Sequence, residues 1–153
     1  MPTASRLIAA VILAIAAGLV ADLYLENLPR EYKPFYVTPG WALIGFLVGW
    51  LTLGNRRGAK LDRQDSGLLP VINHGLVAAA LVLFWGVLAF SVIEMIERST
   101  QKRYRGVEDA LTGIFDLMGE AALVVLTVEI LLTAAVGGLL AAAIAGWAAR
   151  RWK

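Results

Sequence analysis

Residues 121–148 read AALVVLTVEILLTAAVGGLLAAAIAGWA, a run in which Glu129 is the one charged side chain. At a rise of about 1.5 Å per residue such a run crosses a hydrocarbon slab of about 30 Å. Working outward, residues 107–120 alternate Leu111, Ile114, Phe115 and Met118 with Asp109, Thr112, Asp116 and Glu120, which predicts an amphipathic lead-in helix. Further apolar runs occupy residues 68–96, 39–54 and 7–25. The basic and proline-containing segments between them read as connectors. The expected fold is therefore all-α: an integral membrane four-helix bundle in one transmembrane domain over residues 1–153.

Composition agrees. Of the 153 residues 59% are hydrophobic and 17% charged, and the mean hydropathy is +0.70. A soluble domain carries about a quarter charged residues. A soluble enzyme, a nucleic-acid binder and a secreted disulfide module are thereby disfavoured. The absence of cysteine removes disulfides, thiolate metal sites and iron–sulfur clusters from this chain. One histidine, His74, cannot build a multi-histidine metal or haem site within one copy. No cofactor is expected, and no Walker, GxGxxG or HExxH pattern points to an enzyme.

Arg6 followed by an apolar run has the build of a signal peptide. With Met1 present, the run is expected to stay as an uncleaved first span. Residues 22–38, with Pro29, Pro34 and Pro39 around Tyr24, Tyr32, Phe35, Tyr36 and Trp41, are expected as an interfacial loop, its rings at headgroup level. An even number of spans puts both termini on one side. That side holds Arg6, Arg56, Arg57, Lys60, Arg63, Arg150, Arg151 and Lys153, against Arg30, Lys33, Arg98, Lys102, Arg103 and Arg105 on the other. The positive-inside rule then places both termini in the cytoplasm of a multi-pass inner-membrane protein. The formal charge of +2 comes from these connectors and favours contact with anionic lipid.

Small residues recur at helix-packing spacing. Gly45 and Gly49 form GxxxG, Ala14 and Gly18 a smaller version, and Gly138, Ala142 and Gly146 line one face. Such stripes let backbones approach closely, either inside one bundle or at a seam with a second copy or a larger inner-membrane complex. Glu129 is the candidate functional acid. With the spans centred near residues 15, 47, 82 and 134, it lies ~7 Å from the midplane, level with Val20, Asp22, Trp41 and residues 87–91. An ionised carboxylate there is costly. Two readings stay open: a proton relay or cation site, or a neutral carboxyl bonded to Ser91, Thr127 or Thr133. Glu94, Glu97, Arg98, Asp116 and Glu120 form an interfacial charge cluster, read as a salt-bridged hairpin or a shallow divalent-cation site. Arg56, Arg57 and His74 are candidate lipid-headgroup contacts.

Several stretches together resemble one bacterial family. They are MPTASRLIAA at residues 1–10, Gly49-Trp50 before a basic glycine-containing loop, RYRGVEDAL at 103–111, LTVE at 126–129 and WAARRW at 147–152. The chain resembles the TrgA-type membrane proteins associated with tellurite resistance, a mostly alphaproteobacterial family, over essentially its whole length. Where that family commonly carries proline, this chain has Val107 and Val128. The resemblance implies a small membrane protein with a resistance phenotype and supplies no catalytic or binding residues. Thiol chemistry on tellurite is excluded for a chain without thiols, and acids at mid-depth are the wrong charge for carrying an oxyanion. Three functions follow as expectations: indirect action on envelope or redox homeostasis, an accessory or assembly subunit of a respiratory or photosynthetic complex, or a proton- or cation-coupled transporter using Glu129.

Overall fold

The computed structural model describes residues 4–28, 35–53, 68–100 and 107–151. Among the described residues all regular structure is helical. Helix α1 spans Ala4–Glu26, α2 Val37–Val48 with a π-helical turn Gly49–Leu53, α3 Leu68–Thr100, α4 Val107–Val125 and α5 Val128–Arg151. Stretches long and apolar enough to cross a membrane lie at Arg6–Glu26, Val71–Thr100 and Val128–Ala148, with a shorter apolar helix at Val37–Leu53. The chain is thus a helical membrane protein. Arg56 and Arg57 fall outside the described residues, as do the connectors 29–34, 54–67 and 101–106.

Local chemistry sets the ends of these helices. Asn27 closes α1: its backbone N–H and its Nδ2 both donate to the Leu23 carbonyl, at 3.3 and 2.9 Å. Pro39 stands in the first turn of α2, where its missing N–H is not needed, and the Gly40 N–H donates to the Tyr36 carbonyl at 2.9 Å. The Leu126 N–H donates to the Ala122 carbonyl at 2.9 Å, the Thr127 N–H closes a tighter turn on Val124 at 3.2 Å, and the Leu131 N–H then opens α5 on the Thr127 carbonyl at 3.0 Å.

That break corrects the expected uninterrupted span over 121–148 and the lead-in ending at 120. The lead-in helix continues to Val125, and the apolar run is divided at Leu126–Thr127. Val124, Val125, Thr127 and Val128 are all β-branched, which weakens a helix locally. Thr127 is of a residue type favoured at N-caps, although its hydroxyl makes no cap bond here, and Glu129 sits in the first turn of α5, where a negative charge complements the helix dipole.

Helix α1 packs between α2 and α5; α3 packs against α5, α4 and α2. Two buried clusters fill the interior. One, toward the Glu26 end of α1, centres on Tyr24, Trp41, Phe90, Val125 and Ile130. The other, toward the opposite end, centres on Leu13, Ala17, Val48, Val82 and Ala141. Outward, Leu7, Val11, Ile15 and Leu19 recur every fourth residue of α1 and are 43–61% exposed, a stripe suited to lipid.

The small-residue stripes lie mostly between helices of this one chain. A Cβ on Gly45 would stand 2.6 Å from both the Ala17 Cβ and the Leu13 carbonyl oxygen, and 3.1 Å from the Ala14 Cα. On Gly49 it would stand 2.8 Å from the Ala10 Cα. Gly138 meets Gly75 of α3 backbone to backbone, and Gly137 faces Ala16 of α1. Ala142 is buried in the same interior. Gly18 and Gly146 differ, since a Cβ on either would meet nothing within 4 Å. Alanine at those two positions should raise thermal stability by about 0.5–1 kcal/mol through helix propensity alone. Gly45→Ala should lower it, and melting curves in one detergent compare the three.

Candidate functional site

Polar groups converge at the Glu26 end of the bundle. The Thr38 hydroxyl donates to Asp22 Oδ1 at 2.8 Å, tying the start of α2 to the last turns of α1. Within the last two turns of α3, Arg98 Nε donates to Glu94 Oε1 at 2.8 Å, with the Glu94 side chain almost wholly enclosed. The Tyr36 hydroxyl donates to Glu97 Oε1 at 3.0 Å, so the turn before α2 is held to the projecting end of α3.

Beneath these bonds Tyr24 is 1% exposed. Its ring stacks on Trp41 with centroids 5.7 Å apart and meets Phe90 edge-on at 5.3 Å. Pairs of this kind are each worth about 0.5–1.5 kcal/mol beyond their buried area. Trp41 in turn lies against Gly86: a Cβ there would stand 2.8 Å from the indole. The expected interfacial loop over residues 22–38 is shortened accordingly. Tyr24 and Trp41 are core residues, because α1 runs past Tyr24 to Glu26 and α2 already begins at Val37. Phe35, in contrast, is 90% exposed.

A cavity of about 220 Å³ opens beside this aromatic cluster, lined among others by Tyr24, Asn27, Phe90, Glu94, Arg98 and Glu120. The interfacial charge cluster is therefore brought together only in part. Glu94, Arg98 and Glu120 share the cavity, Glu97 is turned to Tyr36, and Asp116 is exposed on α4 away from the cavity lining. Among the described residues no group of three or more His, Cys, Asp or Glu side chains is placed to hold a metal ion.

Glu129 is elsewhere and its surroundings differ from those expected. The residue is exposed on the outer face of α5. Thr133 does bond to it, but its hydroxyl donates to the Glu129 backbone carbonyl at 2.8 Å and not to the carboxyl. The Ser91 and Thr127 hydroxyls are buried with no hydrogen-bond partner. The register of α5 explains the change. Gly137 faces Ala16, and Glu129 lies eight residues, or about 12 Å, nearer the Glu26 end, at the start of the helix instead of its middle. An apolar groove of about 400 Å³ runs just below it between α1 and α5, past Ile15, Leu19, Leu132 and Val136. His74 is half-buried on α3 beside the Gly75–Gly138 contact.

No family model matches the chain, and no solved structure matches it. It is similar to a phospho-N-acetylmuramoyl-pentapeptide-transferase from Anoxybacillus flavithermus, 25% identical over 126 residues. That alignment takes in 82% of this chain and 38% of the transferase. The chain spans well under half the length of that relative.

Proposed function

We propose that this chain is a small, non-enzymatic, multi-pass protein of a bacterial inner membrane, of the tellurite-resistance TrgA type, acting indirectly on envelope or redox homeostasis. Four crossings with both termini cytoplasmic complete the reading. The seventeen residues of Val37–Leu53 stand at the lower end of what a crossing takes. The observation that carries the proposal is the closure of the interior. Gly45, Gly49, Gly75 and Gly138 bring backbones together along the helix seams, and the buried clusters between them are apolar, with Ser91 and Glu94 the buried polar residues among those described. A translocation path needs polar groups facing such an interior, whereas Glu129 faces outward.

The corresponding test is complementation. In a bacterium lacking the chain, tellurite tolerance should fall, and both the wild-type chain and Glu129→Gln should restore it equally. Loss of tolerance in a Glu129→Gln chain that is expressed and assembled normally would return the transporter reading to first place. One observation favours a second reading, an accessory subunit of a larger inner-membrane complex. An apolar groove lies between α1 and α5, and the exposed Glu129 precedes its first α5 residue, Leu132, by three positions, so a neighbouring transmembrane helix could cover both. A stable, stoichiometric larger assembly on mild-detergent extraction would support it, and a bare chain or homo-oligomer would remove it.

A further inference from the structure

The cavity at the Glu26 end of the bundle has a lining rich in hydrogen-bond acceptors. Asn27 gives one amide N–H to the Leu23 carbonyl, and its side-chain oxygen is available as an acceptor. Glu94 is held by Arg98, and Glu120 brings a second carboxylate from α4. Among the described residues of the lining, two carboxylates stand with one guanidinium. Tyr24 is the decisive group. It is buried to 99%, it lines the cavity, and its hydroxyl makes no hydrogen bond among the described residues while lying in the field of both Glu94 and Glu120. A phenol enclosed this way and left unbonded is short of a partner.

A divalent cation is a poor occupant, since it wants six to eight oxygens and would meet the Arg98 guanidinium beside one of the two carboxylates among the described lining residues. A primary ammonium suits the same lining better. It brings three N–H donors for three kinds of acceptor, and the Tyr24 and Phe90 rings add a cation-attracting wall. The space is several times the ~30 Å³ share of one water, room for an amine of several heavy atoms. We propose that the cavity bounded by Tyr24, Asn27, Glu94, Arg98 and Glu120 binds a primary alkylammonium group, with Glu120 and the Tyr24 hydroxyl as its principal acceptors. The ammonium belongs either to a free amine or to an aminophospholipid headgroup. The site does not depend on the tellurite reading.

Calorimetric titration of the full chain in detergent with ethanolamine tests the site. A parallel arm uses nanodiscs of phosphatidylglycerol with and without phosphatidylethanolamine, read by native mass spectrometry. Saturable binding is expected, weakened about ten-fold or more by Glu120→Gln and by Tyr24→Phe, because each removes an acceptor of a charged donor. Asp116→Asn, one turn away on α4 and outside the lining, should bind as wild type. Binding of free ethanolamine identifies a soluble amine as sufficient; binding only in phosphatidylethanolamine nanodiscs identifies the lipid headgroup. Either sustains the site. Absence of binding in both arms, or wild-type affinity in Glu120→Gln and Tyr24→Phe alike, overturns it. Should Glu120→Gln fail to fold, Tyr24→Phe decides, since it keeps the ring stack intact.

Discussion

Gly138→Leu is expected to separate α3 from α5 and lower stability by about 3 kcal/mol or more, the upper end of what overpacking does. A Cβ at Gly138 would run into the Gly75 carbonyl oxygen and come within 3.1 Å of the Ala79 Cβ. The first obstacle is backbone, which has no rotamer to change. The reciprocal position is as tight, with a Cβ on Gly75 meeting the Gly138 carbonyl oxygen and the Leu139 Cα at 2.9 Å. Where lipid supplies no hydrophobic drive between helices, close contact of this kind is itself what holds the pair together. Gly146→Leu is the control on the same helix, facing open space. A melting temperature for Gly138→Leu equal to that of Gly146→Leu would show that the α3–α5 seam is not where it is described.

Tyr24→Ala is the second large effect, about 3–5 kcal/mol, the usual loss when a buried aromatic side chain is cut back to alanine. Its ring fills the space between Trp41 and Phe90, and Trp41 is pinned from behind by Gly86. Loss of near-ultraviolet dichroism should accompany the drop in melting temperature. Tyr24→Phe should cost no more than about 0.5 kcal/mol, the range of a substitution that breaks no contact, because the hydroxyl has no hydrogen bond to lose. The pair separates packing from polarity. If Tyr24→Phe were as damaging as Tyr24→Ala, the hydroxyl would be structural and its proposed place in an amine site would fail with it.

Much of the bundle was legible in the chain because hydropathy and glycine spacing report directly on membrane helices. Gly45 and Gly49 announced a close approach, and α1 supplies it through Ala10, Leu13, Ala14 and Ala17. Their partner had to come from the structure, since nothing in a GxxxG stripe says which helix it meets. Gly75 and Gly86 carry no signal in the sequence for the same reason: each is a lone glycine in an apolar run, and its meaning lies in Gly138 or Trp41, dozens of residues away in sequence. The break at Leu126–Thr127 was hidden because hydropathy is continuous through it. The signals that could have found it are conformational, namely the β-branched residues around Thr127 and an acid in the following turn. Missing that break displaced Glu129 from a helix start to a span interior. The cavity was half legible: Glu94, Arg98 and Glu120 stood out as charges, whereas Tyr24 resembled a headgroup-level aromatic until α1 was seen to extend past it.

The central claim is that the chain influences tellurite tolerance without conducting anything through its own interior. Cellular tellurium content, followed over time after a tellurite pulse in cells with and without the chain, tests that claim most directly. The closed glycine seams and the outward-facing Glu129 lead to one expectation: tolerance differs between the two strains while uptake and loss of tellurium run at the same rates. Faster loss of tellurium in cells carrying the wild-type chain, abolished by Glu129→Gln, would contradict the account.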